Sequence, residues 1–416
     1  MSTTYVVGGG LAGLSAAVAL AEQGARVVLA EAAGQAGGRC RSYFDPAFNG
    51  VIDNGNHLVL SGNHAVYTYL RTVGAEHALV GPEHATFSFV DLASGERWSL
   101  TPNEGPLPFW IFSATRRIPG TGPLDYARLG ALLMSGPSSR IADVIPCIGV
   151  LWERLMRPLL LAALNTEPEQ ASAALAGAVL RETLMKGEKA YRPRIAHPTL
   201  GAAFVEPALA YLATKDAEVR LGQRLRKIVF DTNHAVALEF PESTIPLSPD
   251  DTVVLATPPW VAHDLVPRLS TPNEFRSIVN AHFKTVPPAG APLMLGVIGG
   301  TAEWIFAFAD RISVTVSAAD AIVDEEREVL ARRLWGDVAK AHGIADPLPS
   351  WQIVKEKRAT FAATPQQAAR RPGTQTDWRN LLLAGDWIDT GLPATLESAV
   401  RSGQRAAQLA RARRAL

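Results

Sequence analysis

Cysteine is scarce in this 416-residue chain, and long apolar runs are missing from it. Two cysteines, Cys40 and Cys147, are too few for a disulfide framework or a thiolate metal site, so we expect a reducing cytoplasm and no metal. No apolar run approaches the ~18 residues of a transmembrane helix. The first strand begins near Thr4, which leaves no room for a signal peptide, so we expect none.

An excess of charge of either sign is also missing. Forty basic residues balance forty acidic ones, which argues against nucleic acid as the main partner. Apolar residues make up 47% of the chain and charged residues 19%, as in a globular protein with a greasy surface or a large apolar cavity. The length predicts two domains.

The most informative stretch is a glycine pattern near the N-terminus. Gly8, Gly10 and Gly13 follow an apolar strand and open a segment of helical periodicity, which is the G-x-G-x-x-G arrangement of a dinucleotide site. A second strand, 26–30, ends at Glu31, whose carboxylate can accept ribose hydroxyls and would repel a 2′-phosphate. The alternative is a glycine-rich turn that binds nothing.

Two further segments are expected to contribute to the same dinucleotide site. Gly38 and Arg39, in the loop 32–42, would let a backbone approach a phosphate and neutralise it, unless the loop is simply solvated. The short strand 51–53 leads to Asn56 and His57 at a strand end, where a doubly wound sheet faces its ligand. A histidine there is either catalytic or only hydrogen-bonded.

The C-terminal end carries a second set of candidate cofactor-binding groups. A strand at 380–384 releases Asp386, which can accept ribityl hydroxyls, and a helix then begins near Leu396. The amides of that helix N-terminus would stabilise negative charge at the N1 and O2 edge of a reduced flavin, which favours flavin over nicotinamide. The arginines at 401, 405, 411, 413 and 414 either complement the helix dipole or attract an anionic membrane.

The middle of the chain is less specific. A hairpin is predicted over 86–100, and Phe109–Phe112 before two arginines predicts a membrane-dipping lip, a lid over an apolar channel or a core-packed loop. Helices broken by prolines are predicted over 124–181, a strand over 220–230 and a charged helix over 319–342. We expect a cofactor domain formed by 1–85, 200–265 and 375–416, and a substrate domain formed by 86–199 and 266–374.

Read together, these motifs resemble the amine oxidase and phytoene desaturase superfamily of FAD enzymes. The resemblance implies an α/β fold, with a Rossmann-like FAD-binding domain of the glutathione-reductase type and an inserted α+β substrate domain. It also implies that FAD is contacted by Gly8, Gly10, Leu11, Ala12, Gly13, Glu31, Ala32, Gly38, Arg39, Gly55, Asn56, His57, Leu225, Thr257, Gly385, Asp386, Pro393, Thr395 and Leu396.

Within that superfamily, 157–166, Ala171-Ser172 and 389–395 resemble the squalene-associated desaturases, the hydroxysqualene dehydroxylases. The resemblance implies reductive removal of the hydroxyl of hydroxysqualene in squalene and hopanoid biosynthesis, with hydride from flavin N5 after protonation of the leaving group. The candidate catalytic residues are Asp53, His57, Asn165, Thr166 and Asp389.

Two oxidative alternatives remain open, a carotenoid-type desaturase and an amine oxidase, for whose aromatic cage Trp387 is the one evident wall. A third alternative is a non-catalytic isoprenoid-binding flavoprotein. The expected partners are an isoprenoid substrate, an external electron donor of unknown identity and, by peripheral contact, the inner face of the cell membrane.

Overall fold

The computed structural model describes residues 2–105 and 107–414, apart from the side chain of Arg414. Its strands are β1 (Thr3–Val7), β2 (Arg26–Ala30), β3 (Ser42–Asp45), β4 (Gly50–Asp53), β5 (Leu58–Leu60), β6 (Leu79–Val80), β7 (Phe87–Asp91), β8 (Arg97–Leu100), β9 (Pro193–Ala196), β10 (Glu218–Arg220), β11 (Lys227–Phe230), β12 (Ala235–Glu239), β13 (Thr244–Pro246), β14 (Thr252–Leu255), β15 (Phe275–Phe283), β16 (Met294–Ile298), β17 (Trp304–Ala307), β18 (Ile312–Val316), β19 (Trp351–Phe361) and β20 (Leu381–Leu383). Its α-helices are α1 (Leu11–Glu22), α2 (His64–Thr72), α3 (Pro123–Ala127), α4 (Gly130–Leu133), α5 (Ile141–Val144), α6 (Arg157–Leu164), α7 (Ala173–Glu182), α8 (Glu206–Thr214), α9 (Pro259–Leu265), α10 (Arg327–His342), α11 (Pro365–Ala369) and α12 (Leu396–Arg414).

A five-stranded parallel sheet of order β10-β2-β1-β14-β20 forms the first layer. Its central strands are short apolar runs, as expected where helices cover both faces of a sheet. The register places Val6 beside Leu29 on one side and Val254 on the other. The strands expected at 26–30 and 380–384 are therefore confirmed as members of one sheet, and β14 lies between β1 and β20 in it.

The first and last helices of the chain pack against each other on this sheet. A Cβ at Gly403 of α12 would lie 2.2 Å from the Ala12 carbonyl oxygen of α1, so only glycine permits this approach. The Ser15 hydroxyl donates a hydrogen bond of 3.0 Å to the Val400 carbonyl at the same crossing. The two chain ends thus form one unit beside the glycine turn.

A mixed seven-stranded sheet of order β19-β15-β18-β17-β16-β7-β8 forms the second layer. One face carries aliphatic side chains such as Ile305 and Val314, which pack against Leu334 of α10. The other face carries Phe89, Trp304 and Phe306, which join the core that α6 and α7 complete. The hairpin expected over 86–100 is confirmed as β7 and β8, with Phe87 opposite Leu100.

Two expectations about secondary structure were wrong, and one strand was not predicted. The strand expected over 220–230 is two elements, because Gly222 at φ +72° turns the chain after β10, and Leu225 lies in the following loop. The helix expected from residue 319 begins at Arg327, after a left-handed Ala318 and a short 3₁₀ turn. Strand β19 was missed, because its charged centre, KEKR, masks the alternation that marks a strand.

The expected domain boundaries stay a prediction. All strands of the five-stranded sheet come from the segments assigned to the cofactor domain, and all strands of the seven-stranded sheet come from the other segments. However, β9 pairs with both β5 and β6, so this third sheet crosses the boundary drawn at residue 199. None of the described helices has the length and apolar character to cross a bilayer.

Candidate functional site

The glycines of the first turn are needed for different reasons. A Cβ at Gly8, where φ is +111°, would lie 2.4 Å from the Ala256 carbonyl oxygen, and one at Gly13 would lie 1.8 Å from the Gly8 oxygen. Both glycines are therefore required by the protein's own packing. A Cβ at Gly10 would meet no atom of the described chain within 4 Å. Gly10 instead keeps open the space in front of α1.

The N-terminus of α1 opens onto that space. No side chain of the described residues caps it, and the first turn, which begins Leu11-Ala12-Gly13, carries no acid. The first amides of a helix need acceptors, and its dipole favours an anion there. The geometry therefore suits a bound pyrophosphate.

Glu31 lies beside the turn and is held by two backbone amides. Its Oε2 accepts a hydrogen bond of 2.6 Å from the Gly9 amide, and its Oε1 accepts one of 2.7 Å from the Ala33 amide. A carboxylate has about four acceptor sites, so two remain for ribose hydroxyls. The Gln223 amide donates to the Glu31 carbonyl, which brings the loop containing Leu225 to the same place. Ala32 is exposed next to Glu31.

An ion pair joins the paired-glycine loop to the far end of the chain. Arg39 Nη2 lies 2.7 Å from Asp386 Oδ1, and Arg39 also donates to the Ala359 carbonyl. The Ser398 amide donates to Thr395 Oγ1 at the start of α12, and the Ser398 hydroxyl donates to the Asp386 carbonyl. Gly37 donates to Gly9 through its amide, and Gly38 follows it with φ +55°. The structure thus brings Gly38, Arg39, Gly385, Asp386, Pro393, Thr395 and Leu396 into one region.

His57 belongs to this region. Burial and the neighbouring Arg39 cation lower the pKa of His57 to about 4. The imidazole is therefore neutral at neutral pH and is poorly suited to release a proton there. Its predicted catalytic role is untested, and the structure favours a role in orienting a ligand.

Gly55 and Asn56 lie against the aromatic face of the seven-stranded sheet. Asn56 Nδ2 donates to Thr315 Oγ1 at 3.1 Å, and a Cβ at Gly55 would lie 3.2 Å from the Asn280 amide nitrogen. A small cavity here is lined by His57, Ile195, Phe306 and Phe308 together with Asp53, Gly55, Asn56, Ala196 and Leu200. The aromatic spacing at 304, 306 and 308 was the signal that could have revealed this wall from the sequence.

Asp53 is buried and engaged with protein groups. Its Oδ1 accepts from the Ser42 hydroxyl at 2.5 Å and from the Leu200 amide at 2.9 Å, and its Oδ2 lies 3.4 Å from Arg311 Nη2. Burial raises the pKa of Asp53. These bonds link β4 to β18 and to the start of the segment before α8. They give Asp53 a structural task that does not require a substrate.

The polar side-chain atoms of Asn165 and Thr166 also form hydrogen bonds within the protein. Asn165, left-handed at φ +47°, ends α6, donates to Thr360 Oγ1 and accepts from the Ala318 amide. Thr166 Oγ1 accepts from the Ala363 amide at 2.8 Å. Neither catalytic prediction is tested, but the contacts favour positioning of β19 and the 317–318 turn.

Asp389 and Trp387 differ from each other in exposure, because the first is exposed and the second is buried. The Asp389 side chain is 63% exposed and accepts from the Gly391 amide in a local turn. Trp387 is only 2% exposed, and its indole nitrogen donates to the Thr257 carbonyl. A ring buried in this way offers no open face for the wall of an aromatic cage.

Comparison with known proteins decides the family. The family model described as flavin containing amine oxidoreductase matches residues 11–411, which is nearly the whole chain. The chain belongs to this family. It is a flavin-dependent oxidoreductase, and its cofactor is FAD. The expected fold class is confirmed by the solved structures, since this flavoprotein superposes on cyclohexylamine oxidase from Brevibacterium oxydans with a TM-score of 0.74 at 16% identity, over 99% of each chain.

Closer relatives come from curated sequences. Hydroxysqualene dehydroxylase of Rhodopseudomonas palustris is 55% identical over 408 residues, covering 98% of this chain and 98% of that protein. The enzyme of the same name from Zymomonas mobilis is 48% identical over 410 residues, covering 99% of each. The motifs at 157–166 and 389–395 indicated the hydroxysqualene dehydroxylases, and the names of these relatives confirm that resemblance.

The residues of the flavoprotein fit FAD. Gly10 leaves open space before a helix N-terminus, and two buried side-chain oxygens near the site, Asn56 Oδ1 and Thr257 Oγ1, have no hydrogen-bond partner within residues 2–105 and 107–414. Buried polar atoms are normally paired, so unpaired ones beside a cradle indicate a missing polar ligand. Glu31 retains the acceptor capacity that ribose requires.

Glu303, which precedes β17, is a partly buried acidic residue that no sequence motif predicts. The Ser317 amide donates to Glu303 Oε2 at 2.7 Å, and the next amide, that of Ala318, donates to Asn165 Oδ1. Burial raises the pKa of Glu303 to about 7. No motif marks this residue, because its environment depends on the pairing of β17 with β18 and on Asn165, which is distant in sequence.

Replacing Glu31 with alanine should weaken FAD retention at least tenfold, because about two hydrogen bonds to a charged acceptor are lost. The Gly9 and Ala33 amides would also lose their acceptor, so the turn itself would loosen. The flavin-to-protein absorbance ratio after gel filtration measures retention. Glu22→Ala, at the end of α1, is the control. Unchanged retention in Glu31→Ala would show that the ribose lies elsewhere.

Acid should destabilise the flavoprotein between pH 6.5 and about 4. Burial lowers the pKa of His282 to about 3, and its ring bonds the Ser313 hydroxyl and the Asp53 carbonyl; His57 behaves similarly. Below pH 6.5 the unfolded chain binds these protons and the folded chain does not, so stability is full above that pH and falls by ~1.4 kcal/mol per pH unit for each histidine.

Urea unfolding of the apoprotein at several pH values measures this slope. His282→Gln should flatten the slope by about one proton, while the exposed His77→Gln should leave it unchanged. A slope that is the same in both variants would contradict the assignment of His282 as a buried neutral group.

Proposed function

We propose that the protein removes the hydroxyl group of hydroxysqualene reductively and releases squalene. The observation that carries this substrate is the 55% identity, over nearly the full length, to a protein named hydroxysqualene dehydroxylase. The allylic C–O bond breaks, a C–H bond forms at that carbon, and the hydroxyl leaves with one proton as water. Bound FAD in its reduced form supplies the hydride and its electron pair.

The chain's own residues hold the cofactor in this proposal. The turn 8–13 and the α1 amides would bind the diphosphate, and Glu31 would accept the ribose hydroxyls. The loop containing Leu225 would border the adenine. Arg39 and Asp386, which are paired at 2.7 Å, would hold the diphosphate and the ribityl chain, and the start of α12 would stabilise negative charge on the ring. Asn56 and Thr257 use their unpaired oxygens toward the cofactor.

The seven-stranded sheet and the helices α3–α7 bind the hydrocarbon. Their shared core contains Leu160, Trp304 and Phe306 and reaches Trp387 beside the cofactor loop. A C30 hydrocarbon gains ~25 cal/mol for each Å² removed from water, and a dry site protects a cation-like carbon from water. In this proposal 86–199 and 266–374 form the substrate domain, and the remaining segments form the cofactor domain.

In this proposal a carboxyl group near the end of α6 donates the proton to the leaving hydroxyl. We assign this task to Glu303, which the 317–318 turn connects to Asn165. A carboxyl group that titrates near neutral pH is half protonated there and can donate, unlike the neutral His57. Electrons reach the cofactor from an external reductant, at the inner face of the cell membrane.

A substrate panel tests the proposal. The purified protein is supplied with dithionite and hydroxysqualene, and in parallel, in air, with phytoene, putrescine or cyclohexylamine. We expect squalene from the first reaction and no hydrogen peroxide or desaturated product from the others. Oxidation of an amine or of phytoene, without squalene formation, would replace the proposal by an oxidative one.

A further inference from the structure

Exposed apolar side chains are concentrated in one stretch of the sequence, which includes α3, α4 and α5. Eight large apolar side chains of the described residues are at least 60% exposed, and six of them fall between residues 107 and 148, about one tenth of the sequence. We call these six the apolar face: Leu107, Phe109, Phe112, Leu124, Met134 and Ile148. Single exposed apolar residues are ordinary, but such a concentration marks an interaction surface.

Buried neighbours hold the apolar face in place. Trp110, between the two exposed phenylalanines, is 4% exposed and packs edge-on against Tyr126 with ring centroids 5.1 Å apart. The Tyr126 hydroxyl accepts from the Ile118 amide at 3.0 Å. A Cβ at Gly120 would lie 3.4 Å from the Val150 side chain, so the end of the stretch packs against the turn that precedes α3. The face is therefore anchored to the core while its apolar side chains point to solvent.

The charge around the apolar face is positive. The stretch 107–150 holds four arginines and two aspartates, so its net charge is 4 − 2 = +2. Both aspartates are engaged locally, Asp125 with the Gly122 amide and Asp143 with Arg140. Arg116 and Arg128 are exposed and form no ion pair with the described part of the chain. Exposed apolar residues interleaved with free arginines match the chemistry of an anionic lipid surface.

We propose that the apolar face inserts into the headgroup layer of an anionic bilayer and that the lipid-soluble substrate enters the protein there. The entry route rests on the proposed function, whereas the docking does not. A helical run continues from residue 150 to Leu164 and ends beside Asn165, a length of about 22 Å. Apolar side chains of this run, such as Trp152 and Leu160, belong to the interior core, so in this proposal a hydrocarbon that leaves the bilayer follows the run inward.

Vesicle co-sedimentation of the full-length holoprotein tests the docking. The probes are phosphatidylcholine vesicles with and without phosphatidylglycerol, and the variants are Phe109→Ser/Phe112→Ser and Arg116→Gln/Arg128→Gln. The control is Phe44→Ser/Val286→Ser, which removes the two comparably exposed apolar side chains outside the face. Apolar burial and each arginine contribute separately, so both test variants should bind more weakly.

The expected result is that the wild type and the control bind anionic vesicles equally. The phenylalanine variant should bind at least tenfold more weakly, and the arginine variant should lose the preference for anionic lipid. Equal binding by all variants would overturn the proposal. A wild-type dimer in sedimentation velocity, which binds no vesicles and which the phenylalanine variant converts to a monomer, would overturn it in favour of a contact between copies.

Failure of the docking and failure of the proposed function are distinguishable. Hydroxysqualene is supplied either in detergent micelles or in anionic vesicles, and squalene is measured. We expect the phenylalanine variant to retain activity with micelles and to lose at least tenfold with vesicles. Vesicle binding without squalene from either source would reject the proposed function and leave the docking standing, whereas equal loss from both sources would reject the entry route.

Discussion

Gly10→Val should abolish FAD retention while leaving the apoprotein as stable as the wild type. Gly10 has φ −72°, which valine adopts readily, and a Cβ added there meets no described protein atom within 4 Å. It would instead occupy the space in front of the α1 amides. Losing about two hydrogen bonds to a diphosphate costs at least ~3 kcal/mol, which weakens binding about 100-fold.

Two further glycine variants complete this experiment. Gly336→Val, on the exposed side of α10, also adds a side chain in open space and should retain FAD. Gly13→Ala places a Cβ 1.8 Å from the Gly8 oxygen, so it should destabilise the apoprotein itself. Flavin absorbance after gel filtration and thermal melting of the apoproteins separate the two effects. Full FAD retention in Gly10→Val would contradict the assignment of the diphosphate site.

Asp53→Ala should lower the free energy of unfolding of the apoprotein by about 3 kcal/mol. The substitution removes the acceptor for Ser42 and the Leu200 amide and leaves Arg311, whose side chain is 5% exposed, with weaker compensation. Breaking one partner of a buried ion pair is costly, because the other charge stays buried.

Urea unfolding measures this effect, and Asp324→Ala is the matched control. Asp324 is 81% exposed and its partner Lys357 is 66% exposed, so the replacement leaves no buried charge and should change stability by less than ~0.5 kcal/mol. An Asp53→Ala protein of wild-type stability that binds FAD but makes no squalene would instead restore Asp53 as a catalytic residue.

The cofactor half of the fold could be predicted because its constraints are local. The turn 8–13 needs glycine at fixed spacings, and β1, β2, β14 and β20 are short apolar runs with clear ends. The meeting of the two chain ends also followed from the motif at 385–397, because parallel strands present their carboxyl ends on one edge of the sheet. The ion pair between Arg39 and Asp386 directly joins the N-terminal and C-terminal parts of the site.

The candidate catalytic residues were harder to predict, because a polar residue in a sequence does not reveal its partners. Asn165 and Thr166 stand at the end of an apolar helix, as a substrate contact would, yet their atoms bond Thr360, Ala318 and Ala363. The environment of Glu303 depends on Ser317, which directly follows the neighbouring strand β18. These pairings are set by sheet register, which no local pattern in this chain encodes.

Anaerobic mixing of the reduced holoprotein with hydroxysqualene tests the central claim most directly. The account predicts that the flavin absorbance of the oxidised cofactor returns in a single turnover and that one squalene forms for each flavin. Squalene itself, mixed in the same way, should leave the cofactor reduced. A cofactor that stays reduced with hydroxysqualene, in protein that retains FAD, would contradict the account.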